Sequence, residues 1–171
     1  TLRHHTMNTL DLVSHGPVIP VIVIDRLEDA VPLAQALVAG GVKVLEVTLR
    51  TPVALDAIRA MAQVPGAIVG AGTIRSAADA RAAKAAGAVF GVSPGYTAEV
   101  GAACREMGLP LLPGVATASE VMAAAQAMLQ RVAERQPDAR IEGFTVQPMV
   151  QQSHSHELIV GASVDPQFGP V

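Results

Sequence analysis

The feature that most constrains this chain is a repeat. Five times an apolar run of strand length gives way to small or turn-forming residues, and then to a stretch with helical spacing. The runs are residues 18–24, 42–47, 67–71, 88–92 and 109–112, at a period of roughly 21–25 residues. Residues 27–38 carry Leu27, Ala30, Val31, Ala34, Leu37 and Val38 at three- and four-residue steps, and Gly40-Gly41 stops that helix. Ser76, Thr97 and Thr117 each precede a further helical stretch, and Asp25 with Glu28 reads as a capping box. Thr51-Pro52 reads as an N-cap and first helical position. Five βα units of this kind predict an α/β fold with a parallel sheet and right-handed crossovers.

After Glu134 the pattern changes. Arg135 to Asp138 is a break, and residues 143–150 and 157–164 read as strands with no helix between them, which predicts an antiparallel C-terminal hairpin. Five βα units do not close a barrel. The expectation is an open sheet whose edges are covered by the C-terminal strands or by a second copy, hence a homo-oligomer.

Composition narrows the function. At 171 residues the chain suits one domain with a sizeable core. Three Phe, one Tyr and no Trp leave few platforms for stacking single-stranded bases, and a net charge of −3 is a poor match for a phosphate backbone, so no nucleic acid is expected. No apolar run approaches about 18–20 residues, so no membrane span is expected. The single cysteine, Cys104, reads as helix packing in a reducing compartment. Residues 1–6 before Met7 look like a tag remnant, and His4 and His5 go with it.

Chemistry in parallel α/β folds sits at the carboxyl ends of strands. Glu46 interrupts the second apolar run near its end, and Arg50 follows at the hand-over to the loop. A carboxylate and a guanidinium so placed suggest a general base beside an anion clamp, or simply an ion pair at a strand end. His154 and His156 with Glu157 could mimic metal ligands, but no third ligand is evident near the two histidines and a solvated loop is the preferred reading; no cofactor is expected.

Residues 16–121 carry GPVIPVIVIDRLEDAVPLAQALVAGGVKVLEVTLRT, IVGAGTI, GVSPG and LPLLPGVATASEVM. This part, about three-fifths of the chain, resembles the N-terminal part of the 2-keto-3-deoxy-6-phosphogluconate (KDPG) and 2-keto-4-hydroxyglutarate (KHG) aldolases. The resemblance implies a cytoplasmic, trimeric (β/α)8 barrel that cleaves a phosphorylated keto-sugar acid to pyruvate and glyceraldehyde phosphate. It puts the general base on Glu46, the pyruvate-carboxylate arginine on Arg50, and pocket positions on Thr73 and Pro94. The family's Schiff-base lysine belongs to a sixth strand. Here the lysines are Lys43, at a strand start, and Lys84, in a helical stretch. From about Ala123, AAAQAMLQRVAERQPDARIEGFTVQPMV and HELIVGASVDPQFGPV resemble the ATP-grasp domain of ADP-forming acyl-CoA synthetases.

These two resemblances divide the chain into 1–15, a tag remnant with an N-terminal segment, 16–121, a partial aldolase barrel, and 122–171, a helix and hairpin packed on it. The leading expectation is an engineered or selected chimera with no evolved catalytic activity. The alternatives are an aldolase-like remnant that binds pyruvate or phosphate, and a nucleotide-binding remnant of the ATP-grasp part.

Overall fold

The computed structural model describes residues 11–12, 14–16, 18–135 and 137–138, and the backbone of 158–160, 164–165 and 169–170. Five parallel strands alternate with five helices: β1 (Val18–Ile22), α1 (Leu27–Ala39), β2 (Val44–Thr48), α2 (Ala54–Met61), β3 (Ile68–Gly72), α3 (Ala77–Ala85), β4 (Phe90–Ser93), α4 (Ala98–Glu106), β5 (Leu111–Pro113) and α5 (Ala118–Arg135). The sheet is open, as expected of a partial (β/α) barrel. Its order is β5-β4-β3-β2-β1-β6, where β6 (Leu158–Val160) runs antiparallel to β1 and pairs Val160 with Val18 and Leu158 with Pro20. Two short strands, β7 (Val164–Asp165) and β8 (Gly169–Pro170), form a separate antiparallel pair. Of the expected hairpin, the arm at 143–150 lies outside the described residues, and the arm at 157–164 supplies β6.

Strands β2 to β5 begin one or two residues later than the apolar runs suggest. Val42, Ala67, Ala88 and Leu109 are apolar because they pack in the helix-side core before pairing begins. Two helix starts also differ. Asp25 does not cap α1: Arg26 is the N-cap, makes no side-chain cap bond, and instead pairs with Glu28 (2.9 Å) and Asp29 (3.6 Å), engaging the acid a capping box would need. Thr51 does not cap α2: its hydroxyl donates to Ile24 O at 2.6 Å, and α2 begins at Ala54 after Val53. The later caps follow the sequence. Ser76 Oγ accepts from Asp79 N, and Thr97 Oγ1 from Val100 N. Thr117 Oγ1 accepts from Glu120 N.

Strand alternation splits the core between two faces. Leu45, Val47, Val69 and Ala71 meet the helices, which present Ala30, Ala34, Ala57, Ile58, Met61 and Ala80 in the larger core. Alanines at three- and four-residue steps let the helices lie close to the sheet. On the other face a smaller cluster joins Leu12, Ile19, Val44 and Phe90, with Ile68, Val92 and Leu112 packed against it. Glu46 and Thr48 alternate with Leu45 and Val47 and therefore share this inner face.

Candidate functional site

Glu46 is the middle residue of β2 and is 3% exposed. The register sets it beside Val21 of β1 and Gly70 of β3. Its side chain leans toward the loops: a Cβ added at Gly72 would lie 2.0 Å from Glu46 Oε1. The carboxylate thus fills the space a side chain at Gly72 would take, about 6–7 Å further along the strand direction than its own register partner. Gly70 leaves room of a second kind. The Phe90 ring lies over it, 2.3–2.4 Å from where a Cβ would stand. Glycines two apart on one face of β3 therefore admit a carboxylate above and an aromatic ring below.

Three further residues follow the carboxyl ends of neighbouring strands: Arg50 after β2, Thr73 after β3 and Pro94 after β4. Arg50 and Pro94 are exposed and Thr73 is half-buried. Thr73 has φ +62°, the left-handed region that a β-branched residue avoids. Such a conformation costs roughly 1–3 kcal/mol and persists only where its surroundings impose it. Here both neighbours are pinned: Leu49 N donates to Gly72 O at 2.9 Å, and Ile74 N donates to Val92 O at 3.0 Å. The end of β2 is tied down as well, through Thr48 Oγ1 to Ile22 O (3.1 Å) and Thr51 Oγ1 to Ile24 O (2.6 Å). Arg50 stands between those two threonines. A buried carboxylate, a guanidinium and a strained backbone at one end of three adjacent strands can bind a small anion and move a proton on it.

The two lysines stand elsewhere. Lys43 is exposed just before β2, at the opposite edge from the strand ends, and Lys84 is exposed on α3. Cys104 is buried on α4, where burial pushes its thiol above the usual range. It borders a groove lined also by Tyr96, Leu111, Pro113 and Met128. The residues lining that groove do not include Glu46, Arg50, Thr73 or Pro94. Among the described residues no group of three His, Cys, Asp or Glu is placed to hold a metal, and no helix is long and apolar enough to cross a membrane. The triad His154, His156 and Glu157 lies outside the described residues. The sequence reading missed Gly70, Gly72 and Phe90; the signal was the Gly-Ala-Gly at the end of an apolar run, since glycine inside a strand often marks a close approach.

An open array of five parallel βα units defines the class, a partial (β/α) barrel, and comparison with known proteins gives the family. The sequence model of the KDPG and KHG aldolases matches residues 10–139, so the chain belongs to that family. The 2-dehydro-3-deoxy-phosphogluconate aldolase of Pseudoalteromonas atlantica is 50% identical over 121 residues, covering 70% of this chain and 56% of that protein. The KHG/KDPG aldolase of Escherichia coli K12 is 55% identical over 112 residues, 65% of this chain and 53% of that one. The chain thus spans about half the length of these relatives. In structure it resembles the KDPG aldolase of Zymomonas mobilis with 3-phosphoglycerate (TM-score 0.64, 43% identity, 75% of this chain and 70% of that one). It also resembles the Legionella pneumophila enzyme with pyruvate captured as a covalent carbinolamine (TM-score 0.62, 43% identity, 74% and 70%). A second sequence model, of an ATP-grasp domain, matches residues 111–171.

These findings overturn the expectation of an engineered or selected chimera without evolved activity. Relatives at 50–55% identity carry the aldolase name, and the family match runs through α5 to residue 139, past the division expected between 121 and 122. The two matches overlap over β5 and α5.

Proposed function

We propose that this chain serves an aldolase, the reversible cleavage of a 2-oxo acid to pyruvate and an aldehyde. The observation that carries the reading is the Glu46 carboxylate lodged against Gly72, beside the strained Thr73. Arg50 takes the substrate carboxylate in a charge-assisted pair. Glu46 moves the proton at C3 of the oxo acid, and Thr73 and Pro94 border the same pocket. Carbon–carbon cleavage uses an imine on the oxo carbon as electron sink. Neither Lys43 nor Lys84 stands at these strand ends, so the part assigned to the described residues is binding of the oxo acid and proton transfer. Exchange of the pyruvate methyl protons in D2O tests it. The expected result is exchange above the buffer rate, lost in Glu46→Gln and at least tenfold weaker pyruvate binding in Arg50→Ala. Exchange at the buffer rate together with equal pyruvate binding by wild type and Arg50→Ala would remove the reading.

The tail beyond about residue 123 reads as derived from an ATP-grasp domain, supported by its VQPMV and DPQFGPV stretches and the match over 111–171. The division into 16–121 and 122–171 rests on the same support. A homo-oligomer is the reading favoured by the β5 edge, which pairs only with β4 among the described strands. Pro110 O and Gly114 N face β4, so Pro113 faces the open edge and offers it no donor. Association through α5 next to that edge therefore fits better than added strand pairing.

A further inference from the structure

Two loops on the site side of the sheet are clasped together, and the clasp converges on Glu120. This residue lies in the first turn of α5. Its Oε2 accepts from Ala116 N at 2.7 Å and Thr117 N at 3.0 Å, while Thr117 Oγ1 accepts from Glu120 N at 3.2 Å. That capping box uses one carboxylate oxygen. The other faces the loop between β4 and α4: a Cβ at Gly95 would lie 2.8 Å from Glu120 Oε1. The same two loops meet again one step closer to the strands. Gly114 N donates to Ser93 O at 2.6 Å, and a Cβ at Gly114 would stand 2.8 Å from Pro94 O. Each loop thus contributes a glycine where the other needs room, and Pro94 sits between the two contacts. The backbone donor Ala116 leads in holding the Glu120 carboxyl below the usual range, partly offset by desolvation and helped by Thr117, so the group stays charged near neutral pH.

We propose that Glu120 is a positioning residue of the site: by bracing the Gly95 turn against the start of α5, it sets where Pro94 stands beside the ends of β2 and β3. The proposal rests on the reading that Pro94 borders the bound 2-oxo acid. Capping alone would not require it. The Ser76 and Asp79 box on α3 caps a helix in the same way, with Asp79 Oδ2 accepting from Arg75 N at 3.0 Å, and so provides a control that removes only a cap.

The experiment compares the full chain with Glu120→Ala, Glu120→Gln, Gly95→Ala and Asp79→Ala. Hydrogen exchange at the Gly114 amide reads the clasp, and a pyruvate titration followed by NMR reads the site. In Glu120→Ala the Gly114 amide should exchange about tenfold faster, as expected for lost charge-assisted bonds, and pyruvate should bind several-fold more weakly. Glu120→Gln keeps an acceptor oxygen and should stay within about twofold of wild type. Asp79→Ala should lower the melting temperature but move neither readout. Gly95→Ala, which crowds Oε1 and leaves α5 its cap, should move both readouts in the direction of Glu120→Ala and decides the matter if that variant fails to fold. An unchanged Gly114 exchange in Glu120→Ala or Gly95→Ala, or an equal change in Asp79→Ala, would overturn the proposal. A wild-type chain that binds no pyruvate would remove the oxo-acid reading, and with it the role at the site; Gly114 exchange would then show separately whether the clasp exists.

Discussion

The two faces of the sheet are built from the same five strands and do opposite things. The helix-covered face is a broad apolar core in which alanine, valine and isoleucine share the packing among many positions. The inner face has four buried apolar residues, two glycine gaps on β3, and the buried Glu46 and Thr48. A face covered by helices can be apolar throughout, since every strand residue pointing that way meets a helix. On the inner face Leu12 packs among the strand residues, and the polar Glu46 and Thr48 sit toward the carboxyl end of β2. Stability is thus spread over one face, and the buried carboxylate and the glycine gaps are gathered on the other.

The sharpest way to break that contrast is truncation. Phe90 is fully buried and its ring fills the space over Gly70, so it is the keystone of a small cluster. Phe90→Ala should cost about 3–5 kcal/mol, whereas Met61→Ala, one of many contacts in the larger core, should fall near the low end of about 2–5 kcal/mol. Urea unfolding monitored by circular dichroism measures both. If Met61→Ala costs as much as Phe90→Ala or more, the inner face is not the more brittle of the two.

A smaller effect on stability, but a larger one on binding, comes from putting alanine at two buried strand glycines. At Gly72 the added methyl meets the Glu46 carboxylate, which must leave its place. At Gly91, on the helix side, it meets the end of the Ile74 side chain at 2.6 Å, a flexible group that can turn away. Overpacking should cost about 1–3 kcal/mol at either position. Pyruvate affinity should fall about tenfold or more in Gly72→Ala and stay at the wild-type value in Gly91→Ala. An equal loss in both would mean that the Glu46 position does not govern the site.

The same contrast explains what could be read from the sequence. The βα array was legible because strand and helix periods depend on local pattern, and Ser76, Thr97 and Thr117 declare their helix starts by short-range hydrogen bonds. Asp25 and Thr51 misled because their surroundings are tertiary or ionic: Arg26 engages the acids beside it, and Ile24 O, 27 residues away, engages the Thr51 hydroxyl. At the site, the placement of Glu46 on β2 and of Arg50, Thr73 and Pro94 after three strands followed from the pattern. The lean of Glu46 toward Gly72 and the left-handed backbone of Thr73 did not, because both are set by the neighbouring strands. The pairing of β6 with β1 was open for the same reason. A strand's partner across more than a hundred residues leaves no local trace.

The smallest expected effect probes the helix face through its one titratable thiol. Cys104 packs among apolar side chains on α4, and burial, partly offset by the Arg105 charge, raises its thiol above the ordinary value of 9.0. The folded chain therefore holds this proton to higher pH than the unfolded chain does. The stabilisation is fully present below about pH 9 and is lost as pH rises through the raised value. The gap in urea midpoint between wild type and Cys104→Ala should be constant from pH 7 to 8 and should shift against wild type above about pH 9. A gap that stays constant to pH 10 would mean that the thiol is no more protected than in the open chain. The helix-covered face would then admit water beside α4, and its dryness would no longer set it apart from the inner face.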